Sequence, residues 1–251
     1  MNPMLTYVLL AALLLFMFIR TWKLFARSRK NKAMLEILAL LDTESAFYPA
    51  ADAYIASEKS AEFRTKVEVL RLFADAYYKK DTDFLSHLES LNPAFLLTGS
   101  RGLENEDSFF YLYLAIPNRL WYNGRMDLNA ALTEKLQPLA ATMQTTLLFA
   151  MNKANQLYYD KQEDGGKAFD EAVLNGEYGH YRYSRQLISL YKYMVRTVLV
   201  RLAKDRDDME AIRLHAQSFH DFHQSRLGAR WLKEWGVDDV VTAMTKKEET
   251  Q

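Results

Sequence analysis

Residues 75 to 93 read DAYYKKDTDFLSHLESLNP, and the organisation of the chain can be worked out from this stretch. An aromatic pair, Tyr77 and Tyr78, closes one helical run, a short polar turn follows, and a second amphipathic helix begins that stops at Pro93. RLWYNGRMDLNAALTEKLQP (119–138) follows the same plan with Trp121 and Tyr122, and QLYYDKQEDGGKAFDEAVLNG (156–176) with Tyr158 and Tyr159. The second aromatics stand 44 and 37 residues apart. A weaker copy, EILALLDTESAFYPAADAYIAS (36–57), comes before, with Leu41 placed 37 residues ahead of Tyr78, and VLVRLAKDRDDMEAIRLHAQSF (198–219) comes after. Helix-turn-helix content at a period of about 40 means stacked helical pairs.

The rest of the chain beyond residue 32 has the same helical period. In LISLYKYMVRTVLVRL, Leu187, Tyr191, Met194, Val198 and Leu202 recur at steps of three and four, and Ile188, Val195 and Leu199 widen the stripe enough to bury the helix between neighbours. No run of alternating β-branched residues bounded by turns occurs, and the nine glycines fall between periodic segments. The sequence therefore predicts an all-α fold.

Over residues 33 to 223 the arrangement resembles tetratricopeptide repeats: an aromatic near the end of each first helix, a turn, a small or apolar second helix (Ala130 and Ala131, Ala168 and Ala172) and a terminal Pro93 or Pro138. The family's Trp-x-x-Leu-Gly-x-x-Tyr start does not occur. The resemblance implies an α-solenoid of TPR-like helical hairpins, with a compact all-α bundle as the alternative. It also implies binding rather than chemistry, since stacked hairpins leave a concave surface lined by first helices that holds a peptide or partner helix. In the two most C-terminal units those helices carry Asn152 and Asn155, then Tyr181, Arg182, Arg185 and Lys192. Asn amides pair with an extended backbone, and Arg and Lys with carboxylates; the plainer reading of these positions is a solvated helix face.

The N-terminus is a separate object. Residues 1–32 hold six bases (Arg20, Lys23, Arg27, Arg29, Lys30, Lys32) and no acid, leaving residues 33–251 with 26 basic and 32 acidic side chains. Met4–Ile19, MLTYVLLAALLLFMFI, has no charge, Gly or Pro. As a helix it spans roughly 24 Å, short of a hydrocarbon core of about 30 Å. Trp22, Leu24 and Phe25 make up the deficit while Arg20 and Lys23 reach toward head groups. A transmembrane anchor is the expectation, against a cleaved signal peptide or a buried core helix. The bases follow the apolar run rather than precede it, and no small-residue cleavage site comes before Arg27, which argues against a signal peptide. The positive-inside rule puts the N-terminus outside and the rest in the cytoplasm. The expected organisation is an anchor and basic segment (1–32), the repeat domain (33–223), and a cap and tail (224–251) in which Trp231 and Trp235 pack inward.

Three sharper sites compete with structural readings. DKQEDGGKAFDE (160–171) overlays a calcium loop through Asp160, Asp164, Gly165 and Glu171, but Gln162 and Lys167 depart from the pattern and a polar inter-helix turn explains the stretch equally. His220 and His223 stand three apart beside Asp221, with His215 five residues before His220: a zinc pair lacking further ligands, or ordinary helix residues. Phe109, Phe110, Tyr111, Tyr113, Trp121 and Tyr122 form a groove, a membrane-lying helix or packed core, in a helix that Pro117 should kink or split near Ile116. The loop TGSRGLENEDS (98–108) is long enough to contact a partner.

Exclusions complete the reading. With 32 Lys+Arg against 32 Asp+Glu, the net charge of zero argues against nucleic acid, and the absence of cysteine excludes disulfides, thiolate catalysis and Cys-ligated zinc. No phosphate loop, dinucleotide fingerprint, nucleophile elbow or zinc-protease motif occurs, so no enzyme and no cofactor is expected. The reading is a membrane-anchored, cytoplasmic scaffold that docks a partner protein or peptide; its alternative is a membrane-tethered calcium- or metal-responsive regulator.

Overall fold

With neither Gly nor Pro between Pro3 and Pro49, nothing interrupts the first helix, and α1 runs from Pro3 to Ala39 through the apolar run and the basic stretch alike. The computed structural model describes residues 3–97, 106–144, 146–159, 185–216, 229, 231–233 and 235–248; the side chains of 3–15 and of some later helical positions are not among them. Secondary structure among the described residues is entirely helical. The chain divides into two units, one of Met1–Leu112 with Asn123–Gln137, the other of Tyr113–Tyr122 with Pro138–Gln251.

In the first unit α1 is followed by α2 (Glu44–Ser57), α3 (Ala61–Tyr78) and α4 (Asp81–Ser90), a 3-10 turn (Pro93–Leu97), α5 (Glu106–Phe110) and α7 (Met126–Leu136). The middle helix, α3, touches α1, α2, α4, the 3-10 turn and α5, and buries Phe63, Val67, Leu70, Phe73 and Ala74. Around it Leu41, Phe47, Phe84, Leu91 and Leu96 are almost fully enclosed. Burying side chains of this size contributes about 2 kcal/mol each before ordering costs. α3 ends where the aromatic pair predicts, at Tyr78. Lys79 then takes the left-handed conformation (φ 59°) and the Lys80 N–H reaches back to the Asp75 carbonyl at 2.8 Å, closing the helix end.

The second unit holds α6 (Ile116–Tyr122), a 3-10 turn ending at Leu139, α8 (Ala140–Met143), α9 (Leu147–Tyr159), α10 (Arg185–Asp205), α11 (Met209–Ala216) and α12 (Asp238–Glu248). Here α6 packs on α9, α9 on α10, α10 on α11, and α11 on α12. The other two aromatic pairs also end helices, Trp121–Tyr122 in α6 and Tyr158–Tyr159 in α9. The left-handed helix end recurs twice: at Asp207 (φ 54°), where the Asp208 N–H meets the Ala203 carbonyl, and at Gly236 (φ 63°), where the Val237 N–H meets the Leu232 carbonyl. Trp231 and Trp235 are buried with rings 6.0 Å apart, as their one-turn spacing predicts.

The chain stays helical through Pro117, the second residue of α6, so the expected split is not seen there. Directly before α6 the chain widens into a π-helical turn, Tyr111–Ala115. Phe109, Tyr113 and Trp121 are buried, in line with the core reading of this aromatic stretch, whereas Phe110 and Tyr111 are half-buried and Tyr122 is exposed.

Candidate functional site

Arg27, Lys30, Met34, Ile37 and Leu41 follow one another at steps of three, four, three and four, so they continue a single face of α1. Met34, Ile37 and Leu41 are buried in the first unit. The two bases extend this seam with charge: Arg27 Nη2 donates to Glu62 Oε1 at 3.2 Å and Lys30 Nζ to Glu58 Oε1 at 2.7 Å. Glu58 also accepts the Tyr54 hydroxyl and the Ser60 N–H. Burial alone would raise the Glu58 pKa, but these donors, Lys30 first among them, hold it below the usual carboxylate value. Beside them Lys66, with its side chain 3% exposed, lies 3.8 Å from Glu62, and burial lowers its pKa. The ammonium groups of Lys30 and Lys66 both stand 4.9 Å from the centre of the Phe63 ring.

The six bases of the N-terminal segment therefore do not act alike. Arg20 and Arg29 are exposed and, among the described residues, form no ion pair, and Lys32 lies 3.8 Å from Glu36 on the solvent side. The Lys23 side chain lies outside the described residues. Arg27 and Lys30 differ from the rest of the basic segment because a three-four spacing links them to the apolar positions beyond. Toward the N-terminus, Phe16, Met17, Phe18, Trp22, Leu24 and Phe25 are each more than half exposed.

A second polar centre occupies the opposite end of α3. The Asp75 carboxylate is fully buried; its two oxygens take the Tyr48 hydroxyl at 2.8 Å and His87 Nδ1 at 2.6 Å, so one acid ties α2, α3 and α4 together. Desolvation raises the Asp75 pKa against the opposing pull of these hydrogen bonds. Lys80 Nζ sits 4.3 Å from the centre of the Tyr48 ring and 2.6 Å from Glu44, at the edge of an open depression lined by Glu44, Ser45, Tyr48 and Pro49. Tyr78 donates to the Leu41 carbonyl, fastening the α1–α2 turn. Sequence reasoning did not find this centre, because Tyr48, Asp75 and His87 are far apart in the chain and match no motif.

In the second unit, two of the residues read as partner-binding have internal roles. Pro117 offers no N–H to the Tyr113 carbonyl four residues earlier, and Asn152 Nδ2 donates to that carbonyl at 2.8 Å. One turn along, Asn155 is buried and donates to Asn118 Oδ1 at 2.9 Å. Asn155 is thus buried rather than on a free surface, and the Asn152 amide is used on a backbone carbonyl of the helix that contains Pro117. Arg185 and Lys192 lie on α10, but their side chains are outside the described residues, as are Tyr181, Arg182, the loop residues Asp160, Asp164 and Glu171, the pair His220 and His223, and most of the loop 98–108. Among the described residues no group of three His, Asp or Glu side chains is placed to hold a metal.

Among the described residues no helix is long and apolar enough to cross a membrane. The segment on which the sequence places the span, Met4–Ile19, lies in the first half of α1, and most of its side chains are outside the described residues. Compared with known protein families, characterised proteins and solved structures, the chain finds no match.

Proposed function

We propose that this chain is a single-pass membrane protein, N-terminus outside, whose cytoplasmic helical hairpins form a TPR-like solenoid that docks a partner protein or peptide at the membrane. The observation that supports it most is the change of surface along α1. Large apolar side chains stand exposed from Phe16 to Phe25, and from Arg27 onward the same helix is locked by charge and burial into the first unit. In water that exposed surface forgoes about 25 cal/mol for each Å² left uncovered, a loss that a bilayer removes. The hairpin reading is supported by the aromatic pair Tyr77–Tyr78, which ends α3 directly before α4 turns back to pack on it. Tethering raises the effective concentration of the helical region for membrane partners without any new contact.

Alkaline carbonate extraction with proximity labelling tests the proposal. The full chain should stay in the membrane pellet and label a restricted set of membrane-adjacent proteins, while a fragment starting at residue 33 should be released and lose that set. Extraction of the full chain by carbonate would contradict the anchor. An unchanged labelling set from the released fragment would contradict docking at the membrane.

A further inference from the structure

The ion pairs on α1 set the height of the first unit relative to any bilayer that α1 enters. Phe25 is the last large exposed apolar residue before the seam, with Arg27 two residues and Lys30 five residues further on. At 1.5 Å per residue those positions lie about 3 Å and about 7.5 Å beyond Phe25. The head-group layer on one side of a bilayer is about 5–7 Å thick. The partners of Arg27 and Lys30 are Glu62 and Glu58, which flank the α2–α3 turn. That turn therefore falls at about the outer edge of the head-group layer when Phe25 marks the hydrocarbon edge. α3 then carries the chain from Glu62, beside Arg27, to Tyr78, beside Leu41, so the Thr43 turn stands about 24 Å further from the bilayer.

Resting on the membrane reading above, we propose that the α2–α3 turn of the first unit lies on the head-group surface of an anionic phospholipid bilayer. Arg27 and Lys30 act as the clamp, while Arg29 contacts lipid phosphate at its own level and Arg20 extends its side chain to the phosphates from below. Charge complementarity identifies the occupant. The two clamp bases already have carboxylate partners, whereas Arg20 and Arg29 are exposed cations on the same stretch of helix with no ion pair among the described residues. Each such base near an anionic surface is attracted by about 1 kcal/mol. The buried Lys66 adds positive charge behind the clamp.

The absence of native cysteine makes a direct test practical. The full chain, carrying a fluorophore at Ser60→Cys or at Thr43→Cys, is reconstituted into phosphatidylcholine vesicles with or without phosphatidylglycerol and containing a lipid spin-labelled at the head group. The Ser60 probe should be quenched several-fold more than the Thr43 probe, and R27Q/K30Q should remove the difference while the protein still floats with the vesicles. R20Q/R29Q should leave the difference intact in phosphatidylcholine and abolish its increase with phosphatidylglycerol. Equal quenching at the two positions in protein that floats would overturn the inference and leave the anchor standing, whereas failure to float would overturn the membrane reading itself. An R20Q/R29Q variant that keeps the full phosphatidylglycerol response would remove those arginines from the lipid contact. Because the Ser60 and Thr43 comparison needs neither charge variant, a misfolded R27Q/K30Q protein does not affect the main result.

Discussion

Lys79 and Gly236 share a backbone conformation, with φ of 59° and 63°, yet only one is a glycine. Lys79→Gly should therefore raise stability by about 0.5 kcal/mol, relief of left-handed strain outweighing the added freedom of the unfolded chain. Gly236→Ala should lower it by about 1 kcal/mol or more, since a new Cβ would also stand 3.2 Å from Arg201 Nη1. Urea midpoints of the two variants should move in opposite directions. At Pro117 the prediction is a coupling. Asn152→Ala leaves the Tyr113 carbonyl without its donor and should cost about 1–2 kcal/mol. In a Pro117→Ala background the restored backbone N–H serves that carbonyl, so the same change should cost about 1 kcal/mol less in a double-mutant cycle. An irregularity in the helix that holds Pro117 was legible in the sequence because proline acts locally, although it takes the form of a π-helical turn rather than a break. That Asn152 answers it was not, because its partner carbonyl is 39 residues away.

Two polar centres hold the helices of the first unit together, and they should respond differently to change. At Asp75, removal of either donor, Tyr48→Phe or His87→Ala, should cost about 1.5–3 kcal/mol, as expected for a hydrogen bond to a buried charge. The two losses should not add, because both donors serve one carboxylate. At the α1 seam the control is pH. The Glu58 pKa is lowered in the folded chain, so its contribution is fully present above the unfolded glutamate value of about 4.3 and is lost as pH falls through the folded value. Thermal unfolding of the full chain in detergent should show that acid limb, and Glu58→Gln should flatten it. The ends of α3, α6 and α9 were readable from aromatic pairs, which act over a few residues. The seam was readable too, had Arg27 and Lys30 been counted with Met34 and Ile37 as one face rather than with their charged neighbours. The Asp75 centre was not, since it forms only when α2, α3 and α4 meet.

For the molecule as a whole, hydrophobic period alone established the all-α class, because helices leave a three-four signature in any sequence that buries one face. It could not establish which units form. The chain divides so that Tyr113–Tyr122 belongs with α9 and α10, while Asn123–Gln137, directly after it in sequence, belongs with α3 and α4. Spacing along the chain carries no record of that exchange. The net charge of zero has a similar history: six bases near the N-terminus offset an acidic remainder, and two of those six are matched by glutamates of that same remainder. The central claim is that α1 spans the bilayer with everything beyond it in the cytoplasm, and single cysteines in this cysteine-free chain measure it most directly. Treated with a membrane-impermeant maleimide, intact cells should label Asn2→Cys, and Thr250→Cys should react only after permeabilisation. Labelling of Thr250→Cys in intact cells, or of both positions only after lysis, would contradict the account.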